Sequence, residues 1–181
     1  MIPKAPGWMV EIARLPDATL ITVRCSAEAL AQVGKPAGLA FPHAASRFTM
    51  TGSTQALWIG PDDTLVIEEA SDGRSLLAAL EQAFAGFHAA VVETSGNRVR
   101  LRLSGTGARD LMARACSLDL EPPHFAPGHC AGTMMARAQV FLMQRDDDAA
   151  REEPTYDILV RRSLATYFED WLLTAARALP F

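Results

Sequence analysis

Three arginines, Arg98, Arg100 and Arg102, alternate with Val99, Leu101 and Leu103 in the run RVRLRL. On a strand this spacing puts three guanidinium groups on one face and the apolar side chains on the other. Guanidinium forks pair bidentately with carboxylates and are enriched at interfaces. The row therefore suits solvent or an acidic partner surface better than a ligand such as a polyglutamate tail. Next to it, GTG at residues 105–107 opens a helix after the strand. Free amides at a helix start can hold phosphate, but the dinucleotide pattern GxGxxG needs a third glycine where Asp110 stands. A carboxylate there repels an anion, and helix capping is the reading that remains.

The other reactive side chains are scattered. His129 and Cys130 are adjacent, and neighbours on a strand point to opposite faces, so they do not converge on a metal. Cys25, Cys116 and Cys130 form an odd set without a CxxC spacing, which indicates neither a disulfide framework nor a zinc site. His43, His88, His124 and His129 accompany no recognisable serine or cysteine nucleophile motif. Asp146, Asp147 and Asp148 lack the alternate-residue ligands and closing glutamate of a calcium loop, and read as a solvated hairpin tip. Trp58 and Trp171 sit in apolar patterns and are expected in a core. Trp8 sits in a proline-flanked terminal arm, where a large aromatic suits anchoring to another chain. No residue is assigned to a catalytic, cofactor-binding or metal site on these grounds.

The elements that position these residues follow from the whole chain. Its 181 residues are 49% hydrophobic and 21% charged, an ordinary globular composition with enough length for a core that needs no staple. A net charge of −4 and dispersed basic residues argue against nucleic acid as a partner. Pro3 and Pro6 interrupt the place of a signal peptide, and no apolar stretch reaches membrane-spanning length, so a soluble cytoplasmic protein without membrane contact is expected.

Residues 18–24 (ATLITVR) read as a β-branched strand, followed by a helix capped by Ser26 and closed by Gly34. Residues 34–54 read as an irregular excursion. ALWIG and TLVIEEA flank the turn chemistry PDD and predict a hairpin over 56–69. After Gly73, the residues Leu76, Leu77, Leu80, Ala83, Phe84 and Phe87 mark a helical stripe, and HAAVVETS a strand. The second half repeats the order: RVRLRL as a strand, Ser104 at a helix start, the proline-rich LEPPHFAPG, then TMMARAQVFLMQR and YDILV as strands. A last helix places Leu164, Tyr167, Phe168, Trp171, Leu172 and Ala175 on one stripe. The fold class is α+β: two ferredoxin-like βαββα(β) halves, roughly 15–95 and 96–181, related by a pseudo-twofold within a single domain over 1–181, with residues 1–14 as an N-terminal arm.

The order of the strings carries a resemblance that no single one does. ETS, the strand RVRLRL, SGTGARDLM and the closing SLDL, all within residues 91–120, resemble a stretch of the aminomethyltransferase (glycine-cleavage T-protein) and folate-binding superfamily. With ALWIGPDDTLVI before them, PGHCAGTMMARAQVFLM after them and YDILVRRSLATYFEDWLLTAA at the end, residues 55–177 resemble the gamma-subunit family of heterotetrameric sarcosine oxidases. Residues 1–54 carry no such likeness.

The resemblance implies the folate-binding fold of aminomethyltransferases and membership of a flavoenzyme complex. That complex oxidises the methyl group of sarcosine, giving glycine and hydrogen peroxide, and passes the one-carbon unit to tetrahydrofolate. The implied partners are alpha, beta and delta subunits, chiefly alpha. FAD, FMN, NAD, tetrahydrofolate and zinc are expected in those partners and none in this chain, because a gamma subunit of this family has no assigned catalytic residue. Catalytic aminomethyltransferases run through a glycine-rich bend into a paired aspartate after the proline–glycine turn, whereas PGHCAGTMMARAQVFLMQR has neither. A KGCYxGQE-like loop of iron–sulfur-maintaining relatives is also missing. Glu93 stands where the family has an aspartate, at a strand-to-turn corner. The implied role is a structural and assembly subunit. The alternatives are a stand-alone folate-binding or one-carbon-transfer protein, with Glu93 as its candidate carboxylate, and a ferredoxin-like regulatory module.

Overall fold

The β-branched run TLITVRC forms strand β2 (Thr19–Cys25) in a computed structural model that describes residues 10–70, 73–145 and 153–178. Ser26 then caps helix α1 (Ala27–Val33) by accepting from the Ala29 amide at 3.2 Å, and Gly34 closes it with φ 73°. The PDD turn joins β4 (Thr54–Gly60) to β5 (Asp63–Glu68), and the predicted apolar stripe becomes α2 (Arg74–Phe84). Gly73 precedes that helix with φ 66°, and a Cβ there would come within 2.3 Å of the Thr19 side chain, so glycine is required on two counts. Strand β6 (Ala89–Glu93) completes the half. Contacts divide the chain into two compact units, and these elements make up the unit of residues 17–96.

Its sheet is antiparallel in the order β3-β4-β5-β2-β6. Without its first member this is the ferredoxin-like arrangement. The extra strand, β3 (Phe48–Thr51), lies inside the segment expected to be irregular and pairs with β4 from Phe48↔Leu57 to Thr51↔Thr54. Four residues are too few to display an alternation, and Gly52, with φ 59°, forms the hairpin turn. Ile21, Val23, Ala56 and Val66 on one sheet face pack with Ala29, Leu80 and Phe84 of the helices.

The other unit holds the residues before 17 and those from 97 onward. RVRLRLS forms β7 (Arg98–Ser104), followed by α3 (Ala108–Ala113), β8 (Cys130–Met135), β9 (Ala138–Arg145), β10 (Thr155–Arg161) and α4 (Ala165–Arg177). Ser104 does not cap α3: it is the last residue of β7, and Gly107 occupies the cap without a side-chain bond. The stretch TMMARAQVFLMQR, expected as one strand, is a hairpin that turns on Ala136 (φ 48°) and Arg137 (φ 66°). Two successive positive φ values are what a two-residue hairpin needs, and Ala-Arg gives no compositional sign of it. On α4, Ala165, Phe168, Leu172 and Ala176 are buried, while Tyr167 stays 45% exposed and donates its hydroxyl to the Ala136 carbonyl.

This sheet runs β1-β7-β10-β9-β8, the same order as the first. No described strand follows α4 to flank β7 as β6 flanks β2. Strand β1 (Glu11–Arg14) takes that place, pairing antiparallel from Glu11↔Ser104 to Arg14↔Leu101. Part of the stretch expected to be an arm is thus a structural strand, and Val10 and Ile12 are buried in the core with Leu101, Leu103, Leu111, Phe168 and Leu172. The reason is the free edge that β7 would otherwise present. Trp8 lies outside the described residues.

Ile12→Ala removes buried methyl groups from this borrowed strand and should destabilise the protein by about 2–5 kcal/mol in urea unfolding. A loss under about 0.5 kcal/mol would show that β1 is dispensable to the core.

Candidate functional site

The arginine row is where the sequence offers most chemistry, and the sheet register decides its use. Asp157 stands opposite Arg102 on β10. Arg102 donates from Nε and Nη2 to the two carboxylate oxygens at 2.7 and 2.9 Å, while Arg145 Nη1 lies 3.7 Å from Oδ2. Asp157 is 1% exposed. Arg100 is buried as well and its Nη1 donates to the Pro16 carbonyl at 3.4 Å. Arg98 lays its guanidinium 4.7 Å from the Phe141 ring centroid, and burial, followed by the charge of Arg161, pushes its pKa down. The face expected to meet solvent or a partner's acid is therefore largely internal at Arg100 and Arg102, and the acid that Arg102 meets belongs to this chain. Sequence reasoning passed over Asp157. Its signal is a lone acid within TYDILV, a strand otherwise buried from Thr155 to Val160.

Among the described residues one other carboxylate is buried, Glu68. Oε1 accepts from Ser53 Oγ at 3.0 Å and the Ala70 amide at 2.7 Å, and Oε2 from Thr54 Oγ1 at 2.5 Å. Thr54 is its cross-strand partner, so the register supplies the bond. Glu93, the candidate carboxylate of the sequence, is exposed and accepts from Ser95 Oγ at 2.8 Å, while that oxygen accepts from the Leu20 amide at 3.0 Å. It is a corner residue that fixes the turn after β6.

A cleft of about 490 Å³ opens between α1 and the adjoining ends of β2 and β6, lined among others by Arg24, Cys25, Ser26, Gln32 and His88. Its cation is committed: Arg24 clamps Asp63 with bonds of 2.8 and 2.7 Å. Its thiol is a poor nucleophile, because burial pushes the Cys25 pKa up and Asp62 and Asp63 add to the rise. His43 and Trp58 border a smaller cavity of about 100 Å³ that also touches Cys25.

The remaining candidates sit apart. His124 Nδ1 meets Asp119 Oδ2 on the surface, and the Glu121 amide, followed by His124, holds the Asp119 carboxyl below its ordinary range. His129 Nδ1 lies 3.1 Å from the His124 carbonyl, which only an N–H can address, and its ring meets Phe125 edge-on at 5.7 Å. Cys130 is buried, and Cys116 Sγ lies 3.9 Å from Thr133 Oγ1. Among the described residues no three histidine, cysteine or carboxylate side chains could hold a metal ion. Asp146, Asp147 and Asp148 lie outside the described residues. Gly105 and Gly107 serve the turn into α3, where the Ala108 amide bonds the Gly105 carbonyl and the Leu111 amide that of Gly107.

Asp157→Ala strands Arg102 and Arg145 without their shared acid and should cost about 3 kcal/mol in chemical unfolding, the low end for a broken buried pair because Arg102 keeps about a third of its side chain in water. The double replacement Arg102→Met, Asp157→Leu should recover much of that loss; equal losses in both would remove the pair as a stabilising unit. Cys25 should resist alkylation near neutral pH and react faster as pH climbs past the ordinary thiol range. Burst labelling at pH 7 would contradict its raised pKa.

Comparison with known proteins gives this arrangement a context. Residues 24–178 match the sarcosine oxidase, gamma subunit family. A sarcosine oxidase subunit gamma from Arthrobacter sp. is 31% identical over 144 residues, which is 80% of this chain. The chain spans 62% and 56% of the lengths of the two curated relatives it matches. A chain of the heterotetrameric sarcosine oxidase from Corynebacterium sp. U-96, solved with pyrrole 2-carboxylate, aligns at TM-score 0.84 and 25% identity, covering 95% of this chain and 87% of that one. The aminomethyltransferase T of the glycine cleavage system of Bartonella henselae aligns at TM-score 0.66 over 94% of this chain and 49% of its own, and at 17% identity it shares the fold alone. The fold is thus the folate-binding type, as the resemblance implied. The family match over residues 24–178 and the identity across four fifths of the chain fix its kinship: it belongs to the sarcosine oxidase gamma subunit family.

Proposed function

We propose that the chain is a structural and assembly subunit, the gamma subunit of a heterotetrameric sarcosine oxidase, and carries no catalytic residue of its own. The complex demethylates sarcosine oxidatively to glycine and hydrogen peroxide and passes the one-carbon unit to tetrahydrofolate. FAD, FMN, NAD and the folate belong to its alpha and beta subunits and zinc to its delta subunit, with alpha as the main contact of this chain. Three free, buried cysteines agree with a reducing, cytoplasmic setting, and no helix of the described residues is long and apolar enough to cross a membrane.

One observation carries the reading: both buried carboxylates of the described residues are already committed. Asp157 faces two guanidinium groups and Glu68 accepts two hydroxyls and an amide. A carboxylate that works on a pterin must be able to accept a donor from it, and these would first have to break buried bonds worth more than an exposed one. Neither buried carboxylate of the described residues is thus free to receive a folate, which supports the reading of the chain as a support of its partners. A permanent heteromer of this kind buries on the order of 2,000 Å² or more.

Co-expression with the other three subunits should yield a complex that retains this chain, and omission of the chain should lower the yield of active complex. Normal assembly and turnover without it would end the proposal. Calorimetric titration of the isolated chain with tetrahydrofolate should show no saturable binding below about 1 mM. Micromolar binding would favour the stand-alone folate-binding reading.

A further inference from the structure

On the helix-free face of the sheet β1-β7-β10-β9-β8, four strands bring one side chain each into a single row at the sheet's end. Register pairs Met134 with Gln139 and Arg161 with Arg98, and Val140 opposite Val160 sets Gln139 beside Arg161. All four alternate with core residues, namely Met135, Ala138, Val160 and Val99, so they share the face away from α3 and α4. Met134 is 54% exposed, Gln139 and Arg161 are exposed, and Arg98 rests half-buried on Phe141. Exposed Arg137 sits at the β8–β9 turn at the same end.

This row is energetically incomplete. Like charges directly opposite each other on neighbouring strands repel, and Arg98 and Arg161 are such a pair. No member of the row is acidic, and no ion pair among the described residues engages Arg98, Arg137 or Arg161. The stack on Phe141 holds Arg98 in place, which lowers the entropy a partner must remove to use it. Arginine and methionine without acids is also the composition that protein contacts favour, with the thioether adapting to an irregular apolar surface. A carboxylate placed between the two guanidinium groups turns their repulsion into charge-assisted pairs.

We propose that Met134, Gln139, Arg161 and Arg98, with Arg137 at the adjoining turn, form a docking surface for an acidic segment of a partner subunit. Its carboxylate bridges Arg98 and Arg161, and an apolar side chain beside it covers Met134. The inference rests on the assembly role and adds to it where the contact is made and by what chemistry. The chain's net charge is −4, so the attraction is local to this row and weakens with salt.

The test is capture of the co-expressed complex on a tag carried by a partner subunit, with this chain quantified at about 0.05 M and 0.3 M salt. R161E/R137E should lower retention about tenfold or more relative to the parent chain, and R161Q/R137Q should lower it less. K35E, which changes an exposed cation of the other unit, should leave retention unchanged. Melting temperatures of the isolated chains establish that the variants fold; if the glutamate pair does not, the glutamine pair decides. Retention of the folded double variants at the parental level in both salts overturns the docking surface while leaving the assembly role intact. Failure of the parent chain itself to be captured overturns the assembly role.

Discussion

Strand β7 is the member on which its unit depends, because it is bonded on both sides by strands from far apart in the chain: β1 on one edge and β10 on the other. Its alternation serves two masters. Val99, Leu101 and Leu103 enter the core under the helices, and the intervening arginines go to the opposite face. A slip of one residue against β10 would drive guanidinium groups into the apolar core and move Asp157 off Arg102. The bidentate Arg102–Asp157 pair and the hydrophobic pattern thus specify the same register.

The same economy governs the buried carboxylates. Every buried acid in the described residues is the cross-strand neighbour of a donor, Arg102 for Asp157 and Thr54 for Glu68. Such pairs make unique alignments, since a misregistered sheet would leave a charge buried and unmet. They also remove from each acid the freedom that proton transfer or ligand binding requires. A family fold can in this way keep its architecture while its polar interior serves cohesion.

Much of the architecture was legible because local signals and tertiary demands agreed. Ser26 before an apolar run, PDD between β-branched strings and the stripe from Leu76 to Phe84 each point to the element that forms. What stayed hidden either left no local signal or was set by a partner distant in the chain. β3 is too short to show a period, β1 is a strand only because β7 offers an edge, and the Ala136–Arg137 turn adopts positive φ without glycine or asparagine. At the candidate site, alternation correctly put the three arginines on one face, but no spacing rule tells that the acid opposite Arg102 lies 55 residues on. The corner role of Glu93 was readable from its place at a strand end, whereas nothing in TLVIEEA marks Glu68 as the buried acid that meets Thr54 across the hairpin.

The borrowed strand β1 makes the topology nested: the polypeptide begins one sheet, leaves it to form the whole of the other, and only then returns to finish what it began. During synthesis the opening strand emerges with no edge to join until β7 follows it, more than eighty residues later. The intervening portion has all the strands of its own sheet in hand, whereas the later portion has to recruit its last strand from the far side of that stretch of chain.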